Sequence, residues 1–390
     1  MKWKFYSLAF VAGMSILTAC SSDDNNDNDG NDGNGNGNEI ENGTILKGTI
    51  TSDVTLAAGN TYKLSGEYIV EEGATLHIEE GVKIIAVYDD IADYILVKQG
   101  GKINAVGTPD KPIVMTSEKE EPGAWGGIHI CGRAHTNAEG GKGSSEIGGA
   151  VYGGNDDADN SGTLQYIRLE YTGFAFDEEH EANGISFYGV GNGTIVDHCQ
   201  AYKGSDDGFE FFGGSVNVSN LVAVSCSDDS FDWTEGWNGK GTNLVAYQED
   251  KSTLGYDCDC LMECDNNGSN NAATPVAHPV LKNLILVGNG GSKQGIRLRA
   301  GTEVEIDNAK ICGKGQPLTV ETALTENALK NGTSKLTNIT LTAELSSKEG
   351  IYTHADFIAV TSNKVDANLS YNSFEDIKKE CSWMNGSWVK

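Results

Sequence analysis

Short runs of alternating apolar and polar residues recur along most of the chain, separated by glycine, asparagine and aspartate. The stretches TYKLSGEYIVEEGATLHIEEGVKIIAV and TLQYIRLEYTG are typical of them. Alternation with a period of two places successive side chains on opposite faces of a β-strand, and the polar interruptions mark tight turns. The pattern therefore predicts many short strands and very little helix.

One strand pattern returns at intervals that match one turn of a solenoid. A small residue followed by apolar, polar and apolar residues occurs in GIHICG (127–132), GISFYG (184–189), GFEFFG (208–213), SFDW (230–233) and GIRLR (295–299). The clearest unit is 22 residues long, from Ser205 to Ser227. A repeat of this length without helices is typical of a parallel β-solenoid, in which each unit forms one coil.

The fold class that we predict is all-β, a right-handed parallel β-helix over residues 44–390. About 340 residues at roughly 22–26 per coil give about a dozen coils. Residues 44–87 and the C-terminal stretch are the candidates to cap the two ends. A β-sandwich would not explain the coil-length period, and a propeller blade would need about 40 residues.

Several pieces of the chain resemble a family of surface lipoproteins with a right-handed β-helix that is common in Bacteroidetes. They include GVKIIAV, GGKINAVGTPDKPIVMTS, PGAWGGIHICGRA and GISFYGVGNGTIVDHCQAYKGSDDGFEFFGG. The resemblance covers most of the chain after residue 43. It implies the β-helix fold and leaves the function open, because family members are mostly of unknown role.

The first 43 residues carry the features of export and anchoring. Lys2 and Lys4 precede an apolar run that ends in LTAC, with Cys20 last. This ending resembles the lipobox of bacterial lipoproteins, which implies a signal peptide over 1–20, lipidation of Cys20 and anchoring in the cell outer membrane. The acidic residues after Cys20 resemble a surface-export signal. A secreted protein with a cysteine near its cleavage site is the alternative.

Residues 21–43 are asparagine, aspartate and glycine with few apolar residues, and predict a disordered tether.

The formal net charge of −28 restricts the partners. Nucleic acid and anionic membrane surfaces are excluded, because no basic cluster offsets the acidic surface. Acidic polysaccharides would be repelled unless cations intervened. Neutral glycans, cations and proteins remain as partners.

Besides Cys20, the chain has eight cysteines, and an exported protein can form disulfides. Cys258, Cys260 and Cys264 form a C-x-C-x-x-x-C cluster that lacks the spacing and the fourth ligand of a zinc site. We expect a local disulfide or buried thiols there. The pairing of the set stays open: Cys131, Cys199, Cys226, Cys258, Cys260, Cys264, Cys312 and Cys381.

Stacking of the repeats in register predicts which side chains face outward. The apolar residues of each repeat point inward, and the residue between them points out. The first outward column then reads Ser186, Glu210, Asp232, Glu263 and Arg297. The second outward column reads Tyr188, Phe212, Thr234, Asp265 and Arg299. The turns before two of these strands contribute Asp206, Asp207, Asp228 and Asp229.

Three interpretations of this acidic face stay open. The six carboxylates Asp206, Asp207, Glu210, Asp228, Asp229 and Asp232 are candidate ligands of calcium, which takes 6–8 oxygens. Paired carboxylates are also what glycoside hydrolysis needs. Alternatively, the turn aspartates cap loop amides and the outward acids keep the strand surface soluble. No catalytic residue is predicted, and an enzyme is the less favoured class.

Exposed aromatic residues beside the acids would be platforms for sugar rings. We therefore take Tyr188, Phe212, Glu263, Asp265, Arg297 and Arg299 as the candidate ligand face. The long segments 135–162 and 249–279 are candidates to fold over it. The leading functional prediction is a surface lipoprotein that binds an extracellular glycan or a partner protein, with calcium as the candidate cofactor. A polysaccharide lyase or glycoside hydrolase, and a structural subunit of an outer-membrane complex, are the alternatives.

Overall fold

Parallel pairing links almost every strand of the molecule into one right-handed β-helix. The computed structural model describes residues 38–89, 91–176 and 180–390. Within them, 25 strands belong to one coiled sheet, and two short strands form a separate antiparallel pair. The predicted fold class is confirmed. The predicted signal peptide, Cys20 and most of the predicted tether lie outside the described residues.

The strands and helices are short and follow one another at coil-length intervals. In chain order the strands are β1 (Asn38–Ile40), β2 (Ile45–Ile50), β3 (Val54–Leu56), β4 (Thr61–Val70), β5 (Thr75–Ile78), β6 (Lys83–Ala86), β7 (Tyr94–Val97), β8 (Lys102–Val106), β9 (Ile113–Ser117), β10 (Ile128–Cys131), β11 (Gly143–Ser144), β12 (Val151–Tyr152), β13 (Gly162–Glu170), β14 (Ile185–Tyr188), β15 (Ile195–Tyr202), β16 (Phe209–Phe212), β17 (Asn217–Val224), β18 (Phe231–Thr234), β19 (Lys240–Tyr247), β20 (Met262–Asp265), β21 (Val280–Val287), β22 (Gln294–Arg299), β23 (Glu305–Cys312), β24 (Gln316–Val320), β25 (Lys335–Leu341), β26 (Ser346–Ser347) and β27 (Lys364–Val365). The α-helices are α1 (Lys251–Leu254), α2 (Ala323–Asn331), α3 (His354–Ala359) and α4 (Phe374–Glu380). Among the described residues, no helix combines the length and the apolarity that a membrane crossing requires.

Two ladders of parallel strands form the walls of the solenoid. The front ladder consists of short strands stacked in the order β7, β10, β14, β16, β18, β20, β22, β24 and β26. The bent ladder consists of the longer strands β13, β15, β17, β19, β21, β23 and β25. Phe209 pairs with Phe231 in the step from β16 to β18, so one step equals the 22-residue repeat.

Each strand of the bent ladder turns a corner at one residue in the left-handed conformation. On five successive strands this residue is an asparagine, with φ between 55° and 62°: Asn220, Asn243, Asn283, Asn308 and Asn338. Asparagine tolerates this conformation better than most residues that carry a side chain. The side-chain amides of Asn243, Asn283 and Asn308 donate to the side-chain oxygen of the corner asparagine one coil earlier, over 2.8 to 3.0 Å. Those of Asn220 and Asn338 donate instead to Asp197 Oδ1 and Asp307 Oδ1, each at 2.6 Å. This chain of amides helps to keep the coils in register.

The interior between the ladders is apolar, with stacked aromatic rings at its centre. The inward positions that the sequence predicted for the front ladder are all buried: Ile185, Phe187, Phe209, Phe211, Phe231, Trp233, Ile296 and Leu298. The rings of Phe187 and Phe211 stack 5.1 Å apart, and those of Phe209 and Phe231 5.6 Å apart. Burial of one such side chain contributes about 1.5–3 kcal/mol. The front ladder is therefore a rigid support for whatever its outer face carries.

The first coils of the solenoid are made by residues 44–87, the segment that the sequence suggested as a cap. Strand β2 pairs in parallel with β4, and β4 pairs with both β6 and β7. Strand β1 pairs with β3. Residues 38–40 therefore belong to the coiled domain, although the sequence assigned them to the tether.

The C-terminal residues fold back over the outside of the bent ladder. Ile377, Met384 and Trp388 pack in one apolar cluster with valines of that ladder. The amide of Lys390 donates to Gln200 Oε1 at 2.8 Å. This segment covers the bent ladder and leaves the front ladder free.

All eight cysteines of the described residues are buried and unpaired. For Cys258, Cys260 and Cys264 the sequence left open a local disulfide or buried thiols, and the structure contains buried thiols. Burial raises the pKa of Cys226 and of Cys258 to about 12, which keeps both as unreactive thiols at neutral pH.

Candidate functional site

The front ladder carries a column of charged side chains on its outer face. Ser186 pairs in register with Glu210, Glu210 with Asp232, Asp232 with Glu263, and Glu263 with Arg297. Successive members are one coil apart, which corresponds to about 4.8 Å. Like charges directly opposite each other in a ladder are unfavourable. The three carboxylates in the middle of the column therefore call for a compensating group.

Paired aspartates occupy the turns that lead into two of these strands. The Asp229 amide donates to Asp207 Oδ1 at 2.8 Å, and Ser227 Oγ donates to the Ser205 carbonyl at 2.7 Å. Asp229 Oδ1 accepts from the Cys260 amide at 2.6 Å, one coil further on. One oxygen of each second aspartate thus joins neighbouring coils. This fixes the position of the other oxygen, and both side chains are buried.

The column and the turns line one open cavity of about 370 Å³, which we call the acidic cleft. Its lining contains ten carboxylates: Glu146, Glu181, Asp206, Asp207, Glu210, Asp228, Asp229, Asp232, Asp259 and Glu263. Asn183 and Arg297 complete the lining. Asn183 Nδ2 donates to Glu210 Oε2 at 2.5 Å. All six predicted calcium ligands therefore face the same cavity.

Four of the carboxylates that line the acidic cleft were not among the predicted ligands of calcium. Glu146 belongs to the segment 135–162, and Asp259 belongs to the segment 249–279. Glu181 lies at an isolated bridge with Ala175. Glu263 had been assigned only to the ligand face. The loop positions carry no periodic signal, because a strand pattern reports which face a residue occupies and not which loop approaches it.

The prediction that the aromatic residues of the ligand face are exposed is wrong. Tyr188 is fully buried and Phe212 is 7% exposed. Their rings stack 4.4 Å apart, and residues of the segment 135–162, including Ile147 and Tyr152, pack over them in a second apolar cluster. The outward face of the ladder is therefore covered at this point. Neither ring is accessible to a sugar.

Burial raises the pKa of most carboxyl groups in the acidic cleft, and neighbouring carboxylates raise it further. Together they raise the pKa of Asp206 to about 7. The pKa of Asp228 rises to about 6 for the same two reasons, although its side chain is exposed and solvent screens its charge. Burial is also the main reason that the pKa of Glu146 rises to about 7. The same two causes hold the pKa well above the usual range at Asp207, Glu210, Asp229 and Asp232. Without a cation, ionisation of the whole set of carboxyl groups is therefore unfavourable.

Four overlapping sets of three side chains bring possible ligand atoms within 4.8 Å of one another. The sets are Asp206, Asp207 and Asp228; Asp207, Glu210 and Asp232; Asp229, Asp232 and Glu263; and Asp229, Asp259 and Cys260. Calcium binds oxygens at about 2.3–2.6 Å, so oxygens on opposite sides of one ion stand about 5 Å apart. Asp232 Oδ1 is buried without a hydrogen-bond partner among the described residues. The three carboxylate sets fit a hard divalent cation.

From Glu263 and Arg297, at the edge of the acidic cleft, the outward columns continue as ion pairs, and we call this part the charge-paired end. Arg297 contacts Glu263 at 2.8 Å and Glu321 at 3.2 Å. Arg299 Nε contacts Asp265 Oδ1 at 2.7 Å, and its Nη2 contacts Glu263. The remaining members of the predicted ligand face are thus engaged with one another.

A family model for the pectate-lyase-like beta helix domain matches residues 48–390. No match was found among curated proteins or among solved structures. The matched range contains every coil from β4 onward and all residues of the acidic cleft. The chain therefore belongs to the pectate-lyase-like β-helix domain family.

Proposed function

We propose that the protein is a binding module that holds divalent cations, calcium first, in the acidic cleft and uses them to bind uronate-containing glycans. The observation that carries this proposal is the convergence of ten carboxylates on one open cavity. A bare cleft of this kind would repel an acidic sugar, whereas a bound cation attracts its carboxylate. A cation on an open surface keeps coordination positions for such a ligand.

A binding role is favoured over a lyase reaction that uses an arginine or a lysine as the base, because the basic side chains that contact the carboxylates of the cleft are engaged in ion pairs. Abstraction of a proton from a sugar ring needs a base within hydrogen-bond reach. Arg297 is held between Glu263 and Glu321. Lys293 contacts Asp259, which lines the cleft. Neither of these basic groups is free to act as a base in this arrangement.

Titration calorimetry with calcium chloride tests the cation site, and a glycan array in calcium or in chelator tests the ligand. We expect calcium binding by the wild-type protein, loss of that binding in Asp207→Asn and Asp232→Asn, and array signals only in calcium. A cation bound to the folded form alone also raises the melting temperature. Absence of both heat and melting shift at millimolar calcium would remove the proposal.

Family membership favours one second candidate, a polysaccharide lyase. In this case a cation in the acidic cleft would acidify the uronate, and an ion-paired arginine would have to exchange partners. Incubation with a panel of polysaccharides, followed by product analysis, tests it. Turnover that is unchanged in Asp206→Asn and Asp228→Asn would exclude a role of the cleft in the reaction.

We further propose that the module is anchored to the outer membrane through a lipid on Cys20 and exposed on the cell surface. The support is the lipobox-like LTAC sequence and the acidic residues after it. If the protein is instead a structural subunit of an outer-membrane complex, a barrel protein of that membrane should co-purify with it. Cys20→Ala should release the protein from the membrane fraction.

A further inference from the structure

A second cavity lies beside the end of β18, between the two long segments that flank the front ladder. It has a volume of about 570 Å³, and we call it the loop pocket. Asn137 and Glu139 of the segment 135–162 line one side, and Ser269 and Asn270 of the segment 249–279 line another. Glu235 also lines it. Ligand pockets of proteins usually measure about 300–1,000 Å³, so the loop pocket has room for a sugar residue.

A network of asparagine side chains fixes the two segments to each other. Asn137 Nδ2 donates to Asn266 Oδ1 at 2.8 Å and to the Pro275 carbonyl at 3.0 Å. Asn267 Nδ2 donates to Asn137 Oδ1 at 2.9 Å. Asn137 and Asn266 are both buried. The loop pocket is thus preformed, and a ligand would not have to order its walls, which lowers the entropic cost of binding.

The lining of the loop pocket has the hydrogen-bonding character of a site for a neutral, hydroxyl-rich molecule. Glu139 and Glu235 offer acceptors, whereas Ser269 and Asn270 offer donors as well as acceptors. No lysine, arginine or histidine is among its lining residues. An anionic ligand would meet the two carboxylates without a compensating charge. The hydroxyl groups of a neutral sugar both donate and accept hydrogen bonds and fit this set.

A pair of tyrosines links the loop pocket with the acidic cleft. The rings of Tyr152 and Tyr188 lie 5.1 Å apart. The Tyr152 hydroxyl donates to Glu235 Oε2 at 2.8 Å, and Glu235 lines the loop pocket. The Tyr188 hydroxyl donates to Glu146 Oε2 at 3.3 Å, and Glu146 lines the acidic cleft. The two cavities are therefore neighbours on one face.

From this juxtaposition we propose that the loop pocket is a subsite for a neutral sugar residue, next to the uronate that the acidic cleft binds. The inference rests on the proposed function, since the acidic cleft supplies the neighbouring position. It narrows the glycan to one in which neutral and acidic residues follow each other. A chain of uronates alone would place a carboxylate against Glu139 and Glu235.

Two tetrasaccharides of equal length test the subsite by calorimetry, with calcium and with chelator. A hyaluronan tetrasaccharide alternates glucuronate with a neutral amino sugar, whereas tetragalacturonate contains uronates only. We expect the wild-type protein in calcium to bind the alternating probe at least about tenfold more tightly. Ser269→Trp should fill the loop pocket and abolish this preference. Ser269 is exposed, so the protein should keep its melting temperature.

The matched control is Ser252→Trp on α1, which adds the same indole to the same long segment outside the loop pocket and should leave both affinities unchanged. If Ser269→Trp leaves the calcium-dependent affinity for the alternating probe unchanged, the subsite is overturned and the proposed function stays intact. If the alternating probe binds equally well in calcium and in chelator, and Ser269→Trp abolishes this binding, the proposed function is overturned and the loop pocket is supported. Absence of binding to both probes would overturn the inference.

Discussion

The acidic cleft and the charge-paired end occupy the same outward columns of one ladder, but the negative charge of their carboxylates is compensated in different ways. At the charge-paired end, Arg297 and Arg299 stand one coil from Glu263 and Asp265 and compensate them directly. In the acidic cleft, Glu210 and Asp232 face each other without such a partner. The fold therefore carries both an internally neutralised column and one that is complete only with protons or added cations.

The largest expected effect is the pH dependence of the free energy of unfolding, which shows whether protons or cations compensate the carboxylates of the acidic cleft. In chelator, the pKa of Asp206 is about 7 and that of Asp228 about 6, against an ordinary value near 4. Groups whose pKa is raised by folding stabilise the folded form at low pH, and this stability is lost as the pH rises through about 6 to 7. Lowering the pH from about 8 to about 5 should therefore raise the free energy of unfolding by on the order of 3 kcal/mol.

Denaturant unfolding across this pH range, in chelator and in calcium, measures the effect. Asp206 and Glu146, whose pKa values both rise to about 7, should contribute most, because Asp228 is exposed and its charge is screened by solvent. Asp206→Asn should flatten the profile. Calcium should flatten it as well, because it replaces the protons. Stability that rises with pH in chelator would contradict the account of the cleft.

The second prediction removes compensation from the charge-paired end. Arg299→Met leaves Asp265, whose side chain is 8% exposed, without its partner. We expect a loss of about 2–4 kcal/mol in chelator, because a buried carboxylate is left uncompensated. Calcium should restore part of it, since the altered coil now resembles the acidic cleft. Arg168→Met breaks the contact of Arg168 with Glu170 on β13 and should destabilise without rescue by calcium. Equal responses of the two variants to calcium would argue against the comparison.

The third prediction applies one chemical change to both regions. Asp232→Asn removes a repelled carboxylate and should stabilise the protein in chelator at pH 7 by about 1–2 kcal/mol. Asp265→Asn removes a carboxylate that Arg299 holds at 2.7 Å and should destabilise it by about 1–3 kcal/mol. In calcium, Asp232→Asn should lose its advantage. Thermal unfolding of both variants with and without calcium reports the signs, and the same sign in chelator would refute the proposed difference.

The column of charged residues could be predicted from sequence because its cause is local. An apolar–polar–apolar run fixes which side chain points outward, and the 22-residue spacing from Ser205 to Ser227 aligns Glu210 with Asp232. Fold class and inward core follow from the same pattern. What covers the outer face does not follow from it, because the approach of a loop depends on contacts far apart in sequence. Tyr188 was therefore misjudged as exposed, and Glu146 was not recognised as part of the cleft.

The smallest effect concerns the step that aligns the two Ser-Asp-Asp turns. Ser227 Oγ donates to the Ser205 carbonyl at 2.7 Å, so Ser227→Ala removes one hydrogen bond between coils. We expect a loss of about 1 kcal/mol by denaturant unfolding. Calcium affinity should stay unchanged, because the separate bond from the Asp229 amide to Asp207 Oδ1 still positions the aspartates. A large drop in calcium affinity would instead make the serines part of the cation site, and the turn repeat would then serve binding as well as stacking.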